Sequence, residues 1–347
     1  GYYFGRDLHK ATGVPVGLVG LYQGGTPTEA WATRNTLNNH PELRRDFAER
    51  IERMRSDYAA AVQKFNSEVE EMKKQGKRPS SLPPKAPVMP AWLGSELFNG
   101  MVAPLVPYGI RGVITYQGEA NADRGAQYRV LFPEFIKGWR EAWGQGDFPF
   151  VAVQLAPYDK SRNRPLEQIA ATPEDSDWAR LREAQSLTVK AVPNTALVVT
   201  TDLGEKDDLT PARKEPVGAR LAVAARALAY GEKLMASGPV FKEMAVQGEK
   251  VLVRFDHVGG GLEARGGKLT GFAVCGEDKK FVWADAQIQP DNSILVGAEA
   301  VKKPVAVRFG WADFPVVNLF NKEGLPASPF RTDTFPPPAP PAPVKKK

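Results

Sequence analysis

The 347-residue sequence has one cysteine, three histidines and no uninterrupted apolar run near the ~20 residues a membrane span needs. A single thiol excludes a disulfide within the chain. Cys275 lies in the apolar run GFAVCGE and reads as a packed thiol rather than a nucleophile. Charge of one sign is also scarce: of the net +6, three charges are the terminal Lys345, Lys346 and Lys347. The +3 left is too small to argue for phosphate binding, so no nucleic-acid partner is expected. The chain opens on GYYFGRDLHK, without Met or signal peptide and already in a helix-like pattern, and is read as starting partway through a longer protein.

What is present is enough for a sizeable core, with 42% hydrophobic and 25% charged residues, and the length fits two units. The runs at 15–22, 112–116, 148–156 and 194–201 are nearly continuous apolar strands, the pattern of a sheet covered on both faces. Helix-like segments follow or separate them, including AQYRVLFPEFIKGWREAWG, DWARLREAQSLTVKAV and PVGARLAVAARALAYG. The alternation predicts α/β architecture with a parallel, doubly wound sheet, whose ligands bind beyond the carboxyl ends of the strands.

Residues 41–78 interrupt that alternation with a charged helical arm. Phe47, Ile51, Met54, Tyr58, Ala61 and Phe65 recur at steps of four and three, a narrow apolar stripe. The stripe predicts an arm packed on the body, with a partner-binding coiled coil as the alternative. The proline-rich KRPSSLPPKAPVMP ends it. Beyond about 233, short alternating runs separated by GE, GG, ED and DN turns predict antiparallel strands. The expected division is therefore 1–232 α/β, 233–335 all-β, and a Pro/Lys-rich disordered tail at 336–347.

Four corners carry polar residues where the sheet should bind ligands: QGGTPTEAW, QGEANADRG, PYDKSRN and DLGEKDDLTPARKEPVG. Gly24 and Gly25 allow close backbone approach. Gln117, Glu119 and Asn121 place two amides and a carboxylate on the second corner, where an oxyanion could be held. At the fourth corner, Asp202, Glu205, Asp207 and Asp208 crowd together beside Thr210. Ser95, before the helix-like ELFNGM, reads as an N-cap.

The segments GRDLHKATGVPVGLV, GGTPTEAW, LFNGMVAPLVPYGIRGVITYQGEANA, PFVAVQLAPY, RLREAQ, KEPVGARLAVAARALAYG and NKEGLPASPFRTD resemble the sialate O-acetylesterases, a branch of the SGNH (GDSL-like) hydrolases, from residue 1 to about 335. The resemblance implies a flavodoxin-like three-layer domain with β domains attached. It also implies a metal-free, cofactor-free serine esterase acting on acetylated sugars, secreted or periplasmic. The family's oxyanion hole draws on a glycine of the second motif, here Gly24-Gly25-Thr26, and a side chain of the third, here Gln117 to Asn121. Either Gln117 or Asn121 can donate, while Glu119 better orients neighbours or a sugar hydroxyl. Arg124 reads as a surface ion pair, with a sialic acid carboxylate as its alternative partner.

Two departures stand out. The Gly-Gln-Ser-Asn type motif that carries the family's nucleophile is absent, and with it the first strand, which lies between the runs at 15–22 and 112–116. Thr210 also stands where relatives carry the catalytic histidine, leaving Asp208, or Asp207 at the other spacing, as the orienting carboxylate. A threonine hydroxyl is no general base near neutral pH. His9, His40 and His257 lie in contexts unlike a base beside a nucleophile. The expectation is thus an acetylesterase whose serine block is missing from these residues. The alternatives are an inactive glycan-binding relative and an esterase of plant polysaccharides such as xylan.

Overall fold

The computed structural model describes residues 1–77, 82–86, 94–159 and 164–336, without side chains at 44–48, 50 and 51. Parts of KRPSSLPPKAPVMP and PYDKSRN, and the tail from 337, lie outside the described residues. Packing divides the chain into two units: Gly1–Gly25 with Gly109–Pro133 and Gln145–Lys347, and Thr26–Tyr108 with Glu134–Gly144.

In chain order the elements begin with α1 (Tyr2–Thr12), α2 (Thr28–Trp31), α3 (Arg34–Asn39) and α4 (Pro41–Lys74). A π-helical turn at Phe98–Val102 leads to β1 (Val113–Tyr116), then α5 (Gly125–Trp143), β2 (Phe150–Val153), α6 (Leu166–Ile169), α7 (Asp177–Ala191), β3 (Thr195–Val198) and α8 (Lys214–Tyr230). The three strands form a parallel sheet in the order β1-β2-β3. β2, at the centre, is buried at all four positions, which is why its sequence is apolar without alternation. Val151 and Val153 face Phe4 and Leu8 of α1 and Val217 and Leu221 of α8. The opposite parity faces α7, where the Gln154 amide meets the Ser186 hydroxyl.

The run at 15–22, expected as a strand, is not one. It has no ladder partner among the described residues, and Leu18, Val19 and Tyr22 are exposed. Apolar, β-branched composition makes a strand only where another strand accepts its backbone N–H and C=O groups. β1 likewise pairs on one side only, with β2, and is half-buried throughout.

From β4 (Val240–Gln247) onward the strands are antiparallel: β5 (Lys250–Asp256), β6 (Leu262–Ala264), β7 (Phe272–Cys275), β8 (Val282–Trp283), β9 (Asp285–Ile288), β10 (Ile294–Gly297), β11 (Ala306–Phe309), β12 (Leu319–Asn321) and β13 (Phe330–Arg331). They build sheets β4-β5-β10-β9 and β13-β11-β7-β8 and the pair β12-β6. Alternate residues Val251, Val253, Ile294 and Val296 of the first sheet share one core with Phe272, Val274, Val307 and Phe309 of the second. Phe330 stacks on Phe241 with centroids 4.6 Å apart. Cys275, on the other face of β7, is buried as well, and burial pushes its thiol up to about 11, the inert state expected of it.

In the other unit α4 forms as expected, but its stripe drifts. The half-buried residues are Met54, Tyr58, Val62, Phe65, Val69 and Met72, and Ala61 is exposed. Phe47 and Ile51 are among the side chains outside the described set. A straight helix of 3.6 residues per turn does not hold a strict seven-residue pattern on one line, which moves the stripe from Ala61 to Val62. Ser95 also differs from expectation. Its φ is 70° and its buried hydroxyl has no hydrogen-bond partner among the described residues, so the side chain caps nothing. Its backbone does the work: the N–H donates to Glu29 O at 2.8 Å and the carbonyl accepts from Asn99 N–H at 2.9 Å. No helix among the described residues is long and apolar enough to cross a membrane.

Candidate active site

The carboxyl end of β1 turns at Gly118, whose φ of 153° favours glycine. A Cβ there would lie 2.7 Å from Leu181 Cδ2 and 3.4 Å from Gln185 Nε2, so α7 sits directly against the turn. Gly118→Ala is expected to push α7 from this corner and cost about 1–3 kcal/mol in urea unfolding. Wild-type stability in that variant would show that the turn is not held by α7. Gln185, fully buried, ties two strand ends together. Its Oε1 accepts the Leu155 N–H at 2.9 Å and its Nε2 donates to Gln117 O at 3.2 Å.

The hydrogen-bond chain at this corner orients the two amides. The Tyr128 hydroxyl donates to Gln117 Oε1 at 2.8 Å, so Gln117 turns its Nε2 to donate to Asn121 Oδ1 at 2.8 Å. Asn121, on the 3-10 turn Glu119–Arg124 and fully buried, thus has its acceptor oxygen turned to Gln117. Gln117 is the buttress of that arrangement. Arg124 donates to Gln127 Oε1 at 2.7 Å and lies 3.8 Å from Asp123, a local surface pairing.

Glu119 is half-buried, and burial pushes its carboxyl above the usual range against the pull of its own and Gly118 N–H groups and of Lys214. Lys214, the first residue of α8, holds its Nζ 5.3 Å from the centroid of the Tyr116 ring. Desolvation lowers its pKa, while Glu119, Asp208 and Glu205 act to raise it. One ammonium therefore senses carboxylates from both the second and the fourth corner. Lys214 carried no signal in the sequence beyond its place in KEPVGAR.

At the fourth corner the carboxylates divide by partner. Asp202 forms a fork with Arg220 at 2.6 and 2.7 Å, and Glu205 Oε1 accepts the Ala212 N–H at 2.9 Å. Asp207 is exposed and paired with Lys206 at 2.6 Å. Asp208 Oδ1 accepts both the Thr210 N–H at 2.7 Å and the Thr210 hydroxyl at 3.0 Å. These two bonds, the backbone one first, hold the Asp208 carboxyl below its usual range. Of the two carboxylates left open by the sequence, Asp208 is the one that faces residue 210. This corner adjoins the third through Asp159 N–H, which donates to Lys206 O at 3.0 Å. Gly204 fits the same contact, since a Cβ there would lie 2.4 Å from Pro157 O.

Gly24 and Gly25 make an exposed turn in which a Cβ would meet nothing within 4 Å, and φ of 70° at Gly25 is the feature that favours glycine. The second, third and fourth corners are joined by the contacts above; among the described residues no such bond ties Gly24 or Gly25 to them. His257 has φ of 58° and accepts, through its carbonyl, from Asn321 Nδ2 at 3.3 Å, a turn position in the β region. His9 Nδ1 meets the Val14 carbonyl at 2.7 Å.

A parallel sheet between helical layers, with amides and carboxylates gathered beyond its carboxyl ends and antiparallel sheets following it, is the architecture of an SGNH-like hydrolase domain. Residues 88–227 match the family model described as carbohydrate esterase, sialic acid-specific acetylesterase. The chain is 30% identical over 356 residues to sialate O-acetylesterase of Mus musculus, covering 95% of this chain and 62% of the relative. For the Homo sapiens enzyme of that name the figures are 28% over 352 residues, 95% and 59%. A carbohydrate acetylesterase from Xanthomonas citri shares the fold with a TM-score of 0.74 at 36% identity, over 96% of this chain and 65% of that one. The resemblance read from the motifs is borne out: the chain is similar to the sialate O-acetylesterases along 95% of its length. It spans about three fifths of the length of the curated relatives it matches.

Proposed function

We propose that this chain supplies the oxyanion and acidic corners of a carbohydrate O-acetylesterase, working outside the cytoplasm, whose serine comes from sequence beyond residues 1–347. The observation that carries the reading is the oriented amide pair at the carboxyl end of β1, in a segment matching the sialic acid-specific acetylesterases. A serine oxygen attacks the acetyl carbonyl, and the carbonyl electrons move to an oxyanion held at the corner that carries Gln117 and Asn121. Collapse breaks the bond to the sugar oxygen, which takes up the proton the serine gave up and leaves as a hydroxyl, and acetyl-serine remains. Water then cleaves that ester to acetate. Glu119, held near Lys214, orients a sugar hydroxyl or the loop itself. Gly24 and Gly25 leave room for a backbone N–H to join the oxyanion site.

Acetate release from 9-O-acetylated sialic acid and from acetylated xylan, measured with the protein that includes the serine, tests this and separates the substrate classes. The sialic acid ester is the expected substrate. Asn121→Ala is expected to lower kcat about 10²- to 10³-fold with KM little changed. Absence of hydrolysis of either ester would sink the reading. One observation favours a second reading, a non-catalytic glycan binder: Thr210 gives its hydroxyl proton to Asp208 and offers no base. Saturable binding of the acetylated sugar without acetate release would select it.

A further inference from the structure

The described side chains of α4 carry an apolar stripe of half-buried residues, Met54, Tyr58, Val62, Phe65, Val69 and Met72, along five turns, and Leu43, at the helix start, is buried. A helix this charged holds together in water chiefly by burying such a stripe. The residues on one flank of the stripe show what it is built to meet. At 100° per residue, Arg53, Asp57, Lys64, Glu68 and Glu71 share that flank.

We propose that α4 pairs with α4 of a second copy of this chain, antiparallel, about a two-fold axis near residues 61 and 62. In an antiparallel pair the same flank of each helix faces its counterpart, so residues whose numbers sum to about 122 become neighbours. Arg53 then lies opposite Glu68 and Glu71, and Asp57 opposite Lys64, and the two-fold axis repeats each contact. Tyr58 meets Phe65, and Val62 meets itself. A parallel pair in register offers this flank one such contact, Glu68 with Lys73. The other flank holds Arg55 and Lys73, whose like charge is offset by Glu52 and Glu70 just beyond. The charge order along the flank, basic then acidic, is therefore self-complementary only when one helix is reversed.

Light scattering on the eluting protein over a concentration series is expected to give a dimer that dissociates on dilution. Tyr58→Glu with Phe65→Glu should weaken it on the order of 100-fold or more. The unfolding midpoint of the body, read at low concentration, should be unchanged. Arg53→Glu should weaken the dimer, and adding Glu68→Arg and Glu71→Arg should restore it. Direction is read by cross-linking: Arg53→Cys mixed with Glu71→Cys should form a disulfide-linked pair, with neither variant doing so alone. The native Cys275 is buried and does not compete. A monomer at every concentration, a dimer indifferent to the glutamates, or self-cross-linking of Arg53→Cys alone would each overturn the proposal.

Discussion

Replacing Arg182 by methionine is expected to destabilise the folded protein by about 3–5 kcal/mol, read as a fall in the urea midpoint. Arg182 is fully buried on α7, yet among the described residues its guanidinium makes no side-chain ion pair by hydrogen bond. Instead Nε donates to Leu155 O at 2.7 Å, Nη1 to Ala312 O at 2.7 Å, and Nη2 to Ala156 O at 3.1 Å and Asp313 O at 3.0 Å. Burial pushes its pKa down to about 9, with Asp313 acting in the opposite direction. The group matters most to Leu155 O and Ala312 O, because Ala156 O also accepts from Trp178 Nε1 at 2.7 Å and Asp313 O from the Tyr158 N–H at 3.2 Å. Methionine fills the volume but takes the Arg182 donors from Leu155 O and Ala312 O, at ~1–3 kcal/mol each before relaxation. Lysine restores the charge without the planar fork and should recover only part of the loss. A methionine variant within ~1 kcal/mol of wild type, inside the range of ordinary surface changes, would show that the carbonyls find other partners.

Thr210→His is expected to raise kcat/KM for acetyl-ester hydrolysis by about 10²- to 10⁴-fold, the usual contribution of a positioned general base. The prediction rests on the proposed esterase and needs the protein that includes the serine. Asp208 already aims one oxygen at both the backbone N–H and the side chain of residue 210. A histidine there can donate a ring N–H to that oxygen and present its other nitrogen to a serine. The gained activity should rise with pH through the region of the imidazole pKa, about 6.5 and higher beside a carboxylate, because the neutral ring is the base. Asp208→Asn in the histidine background should remove most of the gain by misorienting the ring. Equal acetate release by wild type and Thr210→His would place the base elsewhere.

The sequence alone was sufficient for the parallel strands β1, β2 and β3, for α4 and for the antiparallel region. Each is announced by a local period or by turn residues that hold whatever lies around them. It also located Gln117, Asn121, Asp208 and Thr210 at two corners, since strand ends in such a sheet are where ligand groups collect. It failed at 15–22, where a strand-like composition finds no ladder partner, and at Ser95, where a helix start is held by backbone bonds and φ of 70° rather than by a hydroxyl. Both failures have one cause: propensity is local, and pairing is not.

The tertiary structure decided the rest. Which way the Gln117 amide turns depends on the Tyr128 hydroxyl, eleven residues away, and no spacing rule encodes that orientation. Asp208 is distinguished from Asp207 by which carboxylate the turn points at residue 210. Arg182 and Gln185 sit in a motif legible in the sequence, RLREAQ, but their task of holding strand ends together exists only once α7 lies across β1 and β2. The residue types at the site are thus a property of the sequence. Their directions are a property of the packing, because a hydrogen bond is set by the position of its partner and not by the order of the chain.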